Sequence, residues 1–551
     1  MLYLKSNDNG DTTLVVRHVK SAEAAYVGLS SAAFPSHAHS QSRSYEAGSI
    51  KAPVSDVKVK KLSDGAVAFA CSALATPDGQ LFNPETEKKP RSTAKVYTSL
   101  FVRHWDTWNT ENTSSIFYGL LEKKDGQYSL HGNAIINALA GTRLSSPVPP
   151  FGGAGDYDIS ASGLAFVAKD PELDPAMYTK TDLYLVPLKT FTESKPPAPQ
   201  VVKTPGLEGY SATPAFSQCG RKLAFTRMRS IQYESDKPRL LLVPDIANPD
   251  KAEEFYATDD GVGSWDLRPE SVLWSHDDAH LYVTAEDRAR TVLFQLPSTP
   301  SKATSLPTPL KTPDGSVSAF YLHSTPPSSS ASDDEHHLFV TSTSLIDNSC
   351  YSLAHPASHT CAIISSASKQ GKSFGLSRSS VSSITFRGAG GAYDVHALVV
   401  RPSTYSAASD KKYPLCLLIH GGPQGAWSDG WSTRWNPAVF AEQGYVVVCP
   451  NPTGSTGYGM ALQDGIRGEW GGRPYNDIVA CFEWVVENMK EVDGERAVAL
   501  GASYGGYMIS ECFLFCSCFL FCSCFLLLHF SFCFSFSGLF SCAAMKLAIV
   551  C

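Results

Sequence analysis

The sequence lacks a surplus of positive charge, and it lacks cysteine pairs at metal-binding or redox spacing. Its 551 residues hold 46 Lys and Arg against 53 Asp and Glu, a formal net charge of −7. This balance argues against nucleic acid as a partner. The first 511 residues contain seven scattered cysteines, none in a CxxC pattern. We therefore predict buried free thiols or at most one or two disulfides, with no metal centre and no cofactor.

A signal peptide is also missing from the residues given. The chain begins Met1-Leu-Tyr-Leu-Lys-Ser-Asn-Asp, with no basic segment ahead of an apolar run. Hydrophobic residues make up 43% and charged residues 18% of the chain, which excludes a largely disordered protein. The length predicts two to four domains, or one large domain with one of ordinary size.

A repeat runs through the first part of the chain. Ser160, Ser217 and Ser275 each lie between two apolar runs and are spaced by 57 and 58 residues. A second apolar run follows each of these, in 182–188, 239–245 and 291–296, and its first two copies are 57 residues apart. A weaker copy of the first run covers 62–69. Repeats of about 40–60 residues that contain several short strands are typical of propeller blades.

We therefore predict a β-propeller over residues 1–375, in which each blade buries a face against its neighbour. An irregular β-sandwich is the alternative. His336 and His337 lie within this range, but neighbouring residues of a strand point to opposite faces. We interpret the two histidines as a solvated turn rather than a metal site.

The pattern changes after residue 376. Apolar runs at 412–419, 444–449 and 497–500 predict buried strands. Between the last two, residues 475–489 carry apolar side chains at helical spacing. Alternating strands and helices predict a doubly wound parallel sheet, covered on both faces, over residues 376–510.

The sharpest chemical signal is Gly501-Ala-Ser503-Tyr504-Gly505-Gly506, directly after the third apolar run. A Gly-x-Ser-x-Gly pattern between a strand and a helix forms a strained turn that lifts the serine hydroxyl out of the sheet. The Tyr504 amide would then face a developing oxyanion. An ordinary strand-to-loop turn is the alternative reading.

A second signal, His420-Gly421-Gly422-Pro-Gln-Gly, directly follows the first apolar run. Its adjacent glycines would allow backbone amides to approach an oxyanion. His420 precedes Ser503, whereas this fold orders its triad as Ser, acid and His. We therefore interpret His420 as a residue that orients the loop and not as the catalytic base.

Several motifs together resemble the prolyl oligopeptidase family of serine peptidases, and within it the fungal dipeptidyl-peptidase V type. They cover roughly residues 60–509 and are the following: Val102-Arg-His-Trp-Asp-Thr-Trp108, Tyr233-Glu-Ser-Asp236, His420-Gly-Gly-Pro-Gln-Gly-Ala-Trp427, Trp431-Ser-Thr-Arg-Trp-Asn-Pro437, Pro450-Asn-Pro-Thr-Gly-Ser-Thr-Gly-Tyr-Gly459, Trp470-Gly-Gly-Arg-Pro-Tyr-Asn-Asp-Ile478 and Gly501-Ala-Ser-Tyr-Gly-Gly-Tyr-Met508. The resemblance implies a β-propeller followed by an α/β-hydrolase domain, a secreted protein and peptide substrates.

By this resemblance Ser503 is the nucleophile, and Tyr504, Gly421 and Gly422 supply the oxyanion hole. The intact protein would release dipeptides from peptide N-termini through an acyl-enzyme. An acylaminoacyl-peptidase or esterase of the same fold is one alternative. A non-catalytic propeller scaffold is the other.

Three further residues have weaker assignments from the resemblance. Tyr458 would line the substrate pocket, although a packed core tyrosine fits the pattern equally well. Glu234 would meet the substrate amino terminus, with a plain surface glutamate as the alternative. Asp477, on the expected helix, is assigned a structural role.

The chain departs from the family pattern after Ser503. No aspartate follows it, and the only acid and histidine are Glu511 and His529. The resemblance implies an Asp and a His from later loops, and it implies a signal peptide and a first blade at the other end. We therefore predict an inactive chain, truncated at both ends relative to the family.

Residues 511–551 have a composition of their own. The run from Cys512 to Leu528 repeats Cys, Phe, Leu and Ser with a period of six, and eight of the 15 cysteines lie here. Residues 512–544 are long and apolar enough for a membrane span, which would make a membrane a partner. These residue types share pyrimidine-rich codons, however, so our hypothesis is a retained intron or a gene-model error.

The hypothesis of a retained intron or gene-model error for residues 511–551, which we call the tail, makes a prediction about the transcript. Sequencing the spliced message across codons 500–551 should show the tail replaced by sequence that encodes a later Asp and His. A spliced transcript that carries the tail in frame would contradict the hypothesis.

Overall fold

The computed structural model describes residues 1–17, 44–88, 91–98, 100–323 and 337–514, with side chains through residue 511, and the backbone of two short strands further on. The chain forms two compact units. The first comprises residues 1–255, 277–279 and 298–302, and the second comprises residues 256–276, 280–297 and 303–551.

The strands in the described part of residues 1–137 are antiparallel. One sheet has the order β1-β2-β3, and a second has the order β10-β8-β5-β4 with β9 also paired to β8, while β6 and β7 form a separate hairpin. The strands are β1 (Leu2–Ser6), β2 (Thr12–Arg17), β3 (Ser44–Ile50), β4 (Ser55–Lys61), β5 (Val67–Ala75), β6 (Arg103–His104), β7 (Thr107–Trp108), β8 (Thr113–Lys124), β9 (Gln127–Leu130) and β10 (Ile136–Asn137).

Four sheets of four antiparallel strands follow, each with its strands in chain order. They are β11 (Tyr157–Ser160), β12 (Gly163–Lys169), β13 (Thr181–Pro187) and β14 (Gln200–Val201); β15 (Ser211–Phe216), β16 (Leu223–Arg227), β17 (Arg239–Val243) and β18 (Glu253–Glu254); β19 (Pro269–Trp274), β20 (His280–Glu286), β21 (Thr291–Pro297) and β22 (Thr308–Pro309); β23 (Ser316–His323), β24 (His337–Thr343), β25 (Cys350–His355) and β26 (Thr360–Ser366). These four-stranded sheets are propeller blades, so the predicted propeller is confirmed over the sandwich. His337 begins β24, and His336 lies outside the described residues.

The repeated serines close the first turn of three blades. Ser160 ends β11, and Ser217 and Ser275 directly follow β15 and β19. Each hydroxyl is buried and accepts a hydrogen bond from a backbone amide across its turn, for example that of Lys222 at 3.0 Å and that of His280 at 2.9 Å. The serine in the repeat therefore satisfies a buried amide where the chain reverses.

A mixed five-stranded sheet begins at Val381 and has the order β27-β28-β30-β29-β31. Its elements are β27 (Val381–Arg387), β28 (Asp394–Val400), β29 (Tyr413–Ile419), helix α1 (Pro437–Glu442), β30 (Val446–Asn451), helices α2 (Met460–Asp464) and α3 (Arg473–Asn488), β31 (Val492–Gly501) and helix α4 (Tyr504–Leu514). The short strands β32 (Cys533–Ser535) and β33 (Lys546–Ala548) pair with each other. Short 3-10 turns occupy His131–Asn133, Ala154–Asp156, Pro300–Lys302, Lys372–Phe374, Arg378–Ser380 and Ala389–Gly391.

The predicted parallel core of this sheet is confirmed, since β29 pairs in parallel with both β30 and β31. The structure adds two antiparallel pairings, of β27 with β28 and of β28 with β30. The antiparallel sheets extend to Ser366, so the change of sheet type falls near residue 375. The domain limits themselves remain a prediction.

Helices cover both faces of the sheet, as predicted. The odd-numbered positions of β29 pack with Ile478, Phe482 and Val485 of α3 and with Met508 and Ile509 of α4. The even-numbered positions pack on the other face with the alanines of α1. Helix α3 begins two residues before the predicted Tyr475, and the predicted Met489 lies just beyond its last residue.

The cysteines of the described residues carry free thiols, which agrees with the prediction. Five are buried, Cys361 is half-buried, and Cys219 differs from the prediction because it is exposed. Burial raises the pKa of Cys416 to about 12, which keeps this thiol protonated at neutral pH. Among the described helices, none combines the length and apolar content that a membrane span needs.

The turn before β12 requires glycine at position 163, and this requirement can be tested. Gly163 has φ 136°, and an added Cβ there would overlap the carbonyl oxygen of Val186 on β13. Gly65 also has a positive φ, 87°, but open space around it. We expect Gly163→Ala to lower the free energy of unfolding by about 3 kcal/mol and Gly65→Ala by about 1 kcal/mol.

Urea denaturation followed by circular dichroism measures both variants. Equal destabilisation would contradict the steric argument, because backbone strain alone would then account for both losses.

Candidate active site

Ser503 stands at a sharp turn between β31 and α4. Its φ of 57° lies in the left-handed region, which residues with a side chain rarely adopt. An added Cβ on Gly501 would lie 2.6 Å from the backbone carbon of Gly505, and one on Gly505 would overlap the carbonyl oxygen of Ile419. Both glycines are therefore required, because the turn folds tightly on itself and against the end of β29. The geometry is the strand–turn–helix arrangement predicted for this motif.

The start of α4 places a backbone amide without an intrahelical acceptor next to Ser503. Gly505 N–H donates to Ala502 O at 3.0 Å, and Tyr507 N–H donates to Ser503 O at 3.1 Å. Tyr504 is the first residue of α4, so its N–H has no acceptor within the helix and lies at the positive end of the helix dipole. This amide is suited to bind an anion beside Ser503.

Gly421 lies directly against the Ser503 side chain. A Cβ built on Gly421 would be 3.4 Å from Ser503 Cβ and 3.8 Å from its Oγ. The next residue, Gly422, has φ 125°, which other residues rarely adopt. A side chain on Gly422 would lie 2.7 Å from the Gln424 nitrogen, and one on Gly421 would lie 3.2 Å from the Ala502 carbonyl oxygen, so glycine at both positions lets the loop lie close to the hydroxyl.

His420 is buried and holds this loop in place. Burial lowers the pKa of His420, so the ring is neutral at physiological pH. Its Nδ1–H donates to Gly421 O at 2.7 Å, and its Nε2 accepts from the Ser455 hydroxyl at 3.0 Å. Because both ring nitrogens are occupied, the structure agrees with a loop-orienting histidine and gives His420 no role as a base.

Ser503 opens into a cavity of about 600 Å³. Its wall is mainly apolar and aromatic, with Leu345, Leu418, Trp427, Trp431, Trp435, Phe440 and Leu500. Trp431 stacks on Phe374 with ring centroids 5.3 Å apart, and the Arg434 guanidinium lies 5.4 Å from the Trp435 ring centroid. A cavity of this size and lining accepts apolar side chains of a bound ligand.

Asp477 has the structural role that the sequence suggested. Its carboxylate is fully buried on α3 and accepts four donors: the Ala389 amide at 2.7 Å, the Tyr393 hydroxyl at 2.9 Å, and the amide and hydroxyl of Thr453 at 2.8 and 2.6 Å. Asp477 thereby joins α3 to the loops that follow β27 and β30.

Tyr458 lies away from the wall of the Ser503 cavity. It lines a second cavity of about 830 Å³, and its hydroxyl contacts Asn451 Nδ2 at 2.8 Å and His396 Nδ1 at 2.7 Å. Glu234 is exposed, in a turn between β16 and β17 of the first unit. Substrate binding by either residue remains a prediction.

The two groups that could complete a triad are placed differently. Glu511 lies on α4, where it accepts a hydrogen bond from Tyr507 that raises the pKa of this tyrosine. His529 lies outside the described residues. Within the described part of the chain, no imidazole bonds to Ser503 Oγ, and no group of three or more His, Cys, Asp or Glu side chains could hold a metal ion.

Two residues that shape the site had no assigned role in the sequence. Asn451 bonds both the N–H and the carbonyl of Trp427, and Ser455 bonds His420. Both lie inside motifs that carried the family resemblance. The motifs therefore indicated that Asn451 and Ser455 are important, but only the folded structure shows which groups they bond.

The fold and the site define the class of protein. The family model of the prolyl oligopeptidase family matches residues 431–515. The chain belongs to this family of serine peptidases, as the sequence motifs indicated. Its architecture is a β-propeller followed by an α/β-hydrolase sheet.

Curated relatives give a finer comparison. Dipeptidyl-peptidase 5 of Aspergillus fumigatus is 42% identical over 480 residues, which cover 86% of this chain and 63% of the relative. A probable dipeptidyl-peptidase 5 of Arthroderma benhamiae is 37% identical over 506 residues, with coverages of 91% and 66%. The chain thus spans just under two thirds of the length of these relatives.

Solved structures match in fold alone. An acylaminoacyl peptidase in complex with Z-Gly-Gly-Phe-chloromethyl ketone has a TM-score of 0.62 at 12% identity, covering 93% of this chain and 65% of that one. The acylaminoacyl peptidase of Pyrococcus horikoshii has a TM-score of 0.60 with the same identity and coverages.

The tight turn at Ser503 predicts that alanine substitution changes stability differently at two adjacent glycines. Gly505→Ala places a methyl group against the Ile419 carbonyl, and we expect a loss of about 3 kcal/mol in the free energy of unfolding. Gly506→Ala meets only Gly501 O at 3.6 Å, an ordinary contact, and we expect no loss because alanine favours the helix by about 1 kcal/mol.

Thermal unfolding of the two variants provides the measurement. Similar melting temperatures would show that β29 and the turn are not in the close contact described.

Proposed function

We propose that Ser503 is the nucleophile of a serine peptidase, and that Tyr504 N–H and the backbone of Gly421 and Gly422 form its oxyanion hole. The observation that carries this proposal is the position of Ser503, strained at φ 57° at a helix start, with the Gly421 backbone against its side chain. Strained residues of this kind cluster at catalytic sites. Oγ would attack a substrate carbonyl, and the amides would stabilise the oxyanion that forms.

The proposed substrates are peptides, from which the intact protein would release N-terminal dipeptides. Support comes from the relatives of about 40% identity, which are named dipeptidyl-peptidase 5. The solved acylaminoacyl peptidases share the fold at 12% identity, which does not extend to their substrates. Acylaminoacyl-peptidase or esterase activity is therefore the alternative to be tested.

We further propose that a polypeptide of these 551 residues has no peptidase activity by itself. No aspartate follows Ser503, and the single glutamate, Glu511, is engaged by Tyr507. Among the residues that the structure describes, the nucleophile therefore has no oriented base to take its proton. Loss of the base in a triad enzyme lowers kcat on the order of 10⁶-fold.

The test compares two proteins. One is the 551-residue chain, and the other joins residues 1–510 to the segment that follows the matched region of the Aspergillus fumigatus relative. Each is assayed with dipeptidyl, N-acetyl-aminoacyl and simple ester chromogenic substrates. We expect no turnover by the first, and by the second we expect cleavage of dipeptidyl substrates with a free amino terminus.

Ser503→Ala in the joined protein should abolish that cleavage while leaving its melting temperature unchanged. Activity of the 551-residue chain, or activity that survives Ser503→Ala, would refute the proposal. Preference for N-acetylated substrates would favour the alternative of an acylaminoacyl-peptidase. A joined protein that is folded but inactive would favour the alternative of a non-catalytic propeller scaffold.

A further inference from the structure

The loop that carries Gly421 and Gly422 is closed by one tryptophan. Trp427 Nε1–H donates to the carbonyl of Leu418 at 2.8 Å, so the chain returns to the end of β29 after eight residues of loop. The backbone of Trp427 is in turn held by Asn451, whose Oδ1 accepts from Trp427 N–H at 2.7 Å and whose Nδ2 donates to Trp427 O at 3.0 Å. One side-chain amide therefore holds the backbone at the end of this loop on both sides.

Asn451 is fully buried at the end of β30, and its second Nδ2 proton is donated to the Tyr458 hydroxyl at 2.8 Å. His396 lies directly opposite Asn451 in the β28–β30 pair, and its Nδ1 is 2.7 Å from the same hydroxyl. Burial, together with the charge of Arg288, lowers the pKa of His396 and so favours the neutral ring. The Tyr458 hydroxyl accepts a hydrogen bond from Asn451 Nδ2–H and shares a second hydrogen bond with His396 Nδ1.

The amide of Asn451 is thus fixed in one orientation. A rotation by 180° would bring Nδ2 against Trp427 N–H and Oδ1 against Trp427 O, which replaces two buried hydrogen bonds by two repulsive contacts. The residues just after Asn451 add two further links to the loop, from Thr456 N–H to Gly425 O at 3.1 Å and from Ser455 to His420 at 3.0 Å. Segment 451–458 therefore holds the loop along its length.

We infer that Asn451, oriented by Tyr458 and His396, is the positioning residue that places the Gly421–Gly422 backbone beside Ser503. The claim that this position matters for catalysis rests on the proposed function. The claim that Asn451 holds the loop does not. Neither Asn451 nor Tyr458 touches the reacting atoms. Tyr458 accordingly acts through the loop rather than as a wall of the substrate pocket.

Hydrogen exchange of the 551-residue chain, followed by mass spectrometry, tests the coupling. Tyr458→Phe keeps the ring and removes the hydroxyl, and the loss of one or two hydrogen bonds should accelerate exchange in residues 420–427 by about tenfold. Peptides from β29 and α3 should be unchanged.

Tyr393→Phe is the matched control. It removes a hydroxyl that bonds Thr453 and Asp477 and has no link to Trp427, so the loop should exchange at its normal rate. Asn451→Ala is the second variant, with a larger local effect expected. Unchanged loop exchange in both Tyr458→Phe and Asn451→Ala, or an equal acceleration along the whole chain, would overturn the inference.

A second readout connects the loop to Ser503. The test uses the protein that joins residues 1–510 to the later segment of the relative, with each tyrosine variant placed in it. A fluorophosphonate probe phosphonylates a nucleophilic serine Oγ with loss of fluoride, through an oxyanion-bearing transition state, and Ser503→Ala in the same protein defines the background. Tyr458→Phe should slow labelling about tenfold relative to Tyr393→Phe. If the joined protein with its native tyrosines is not labelled at all, the proposed function loses support and hydrogen exchange alone decides the inference. Equal labelling rates for the two tyrosine variants would overturn it.

Discussion

The close approach of the Ser503 turn to the end of β29 is the constraint on which the candidate site depends. Gly505 lies so near the Ile419 carbonyl that no side chain fits between them. This contact fixes the start of α4 and therefore the direction of its first amides. It also brings Ser503 next to Gly421, because the glycine loop starts at the end of the same strand. The proposed nucleophile and its proposed oxyanion donors thus share one point of contact.

Buried polar side chains then fix the loops around this point. Asp477 gathers four donors from two loops, and Asn451 holds the backbone of Trp427 on both sides. Every partner in these networks is satisfied, so each network favours a single loop arrangement over its alternatives. The sheet is a rigid support, and the side chains of Asp477 and Asn451 hold the loops at its edge in one conformation.

Much of this architecture follows from local sequence patterns. The serine repeat predicted the blade turns, and the glycines around Ser503 predicted the strained turn. Both kinds of turn depend on residues that are close together in the chain. Strand direction was less accessible, because the apolar pattern of β28 is the same whether it pairs parallel or antiparallel. One partner of Tyr458, His396 on β28, lies 62 residues earlier in the sequence, so the motif around Tyr458 alone could not distinguish a pocket wall from a link in a network.

The order of the strands also has a consequence for how the chain folds during synthesis. Each blade pairs strands that are neighbours in sequence, so its loops are short and close at little entropic cost. The mixed sheet is different: Tyr413 pairs with Val492, across an intervening strand and three helices. Such non-local pairing is slow, and domains form from the N-terminus as the ribosome releases them. The blades can therefore form first, while β29 keeps an open edge until β31 has emerged.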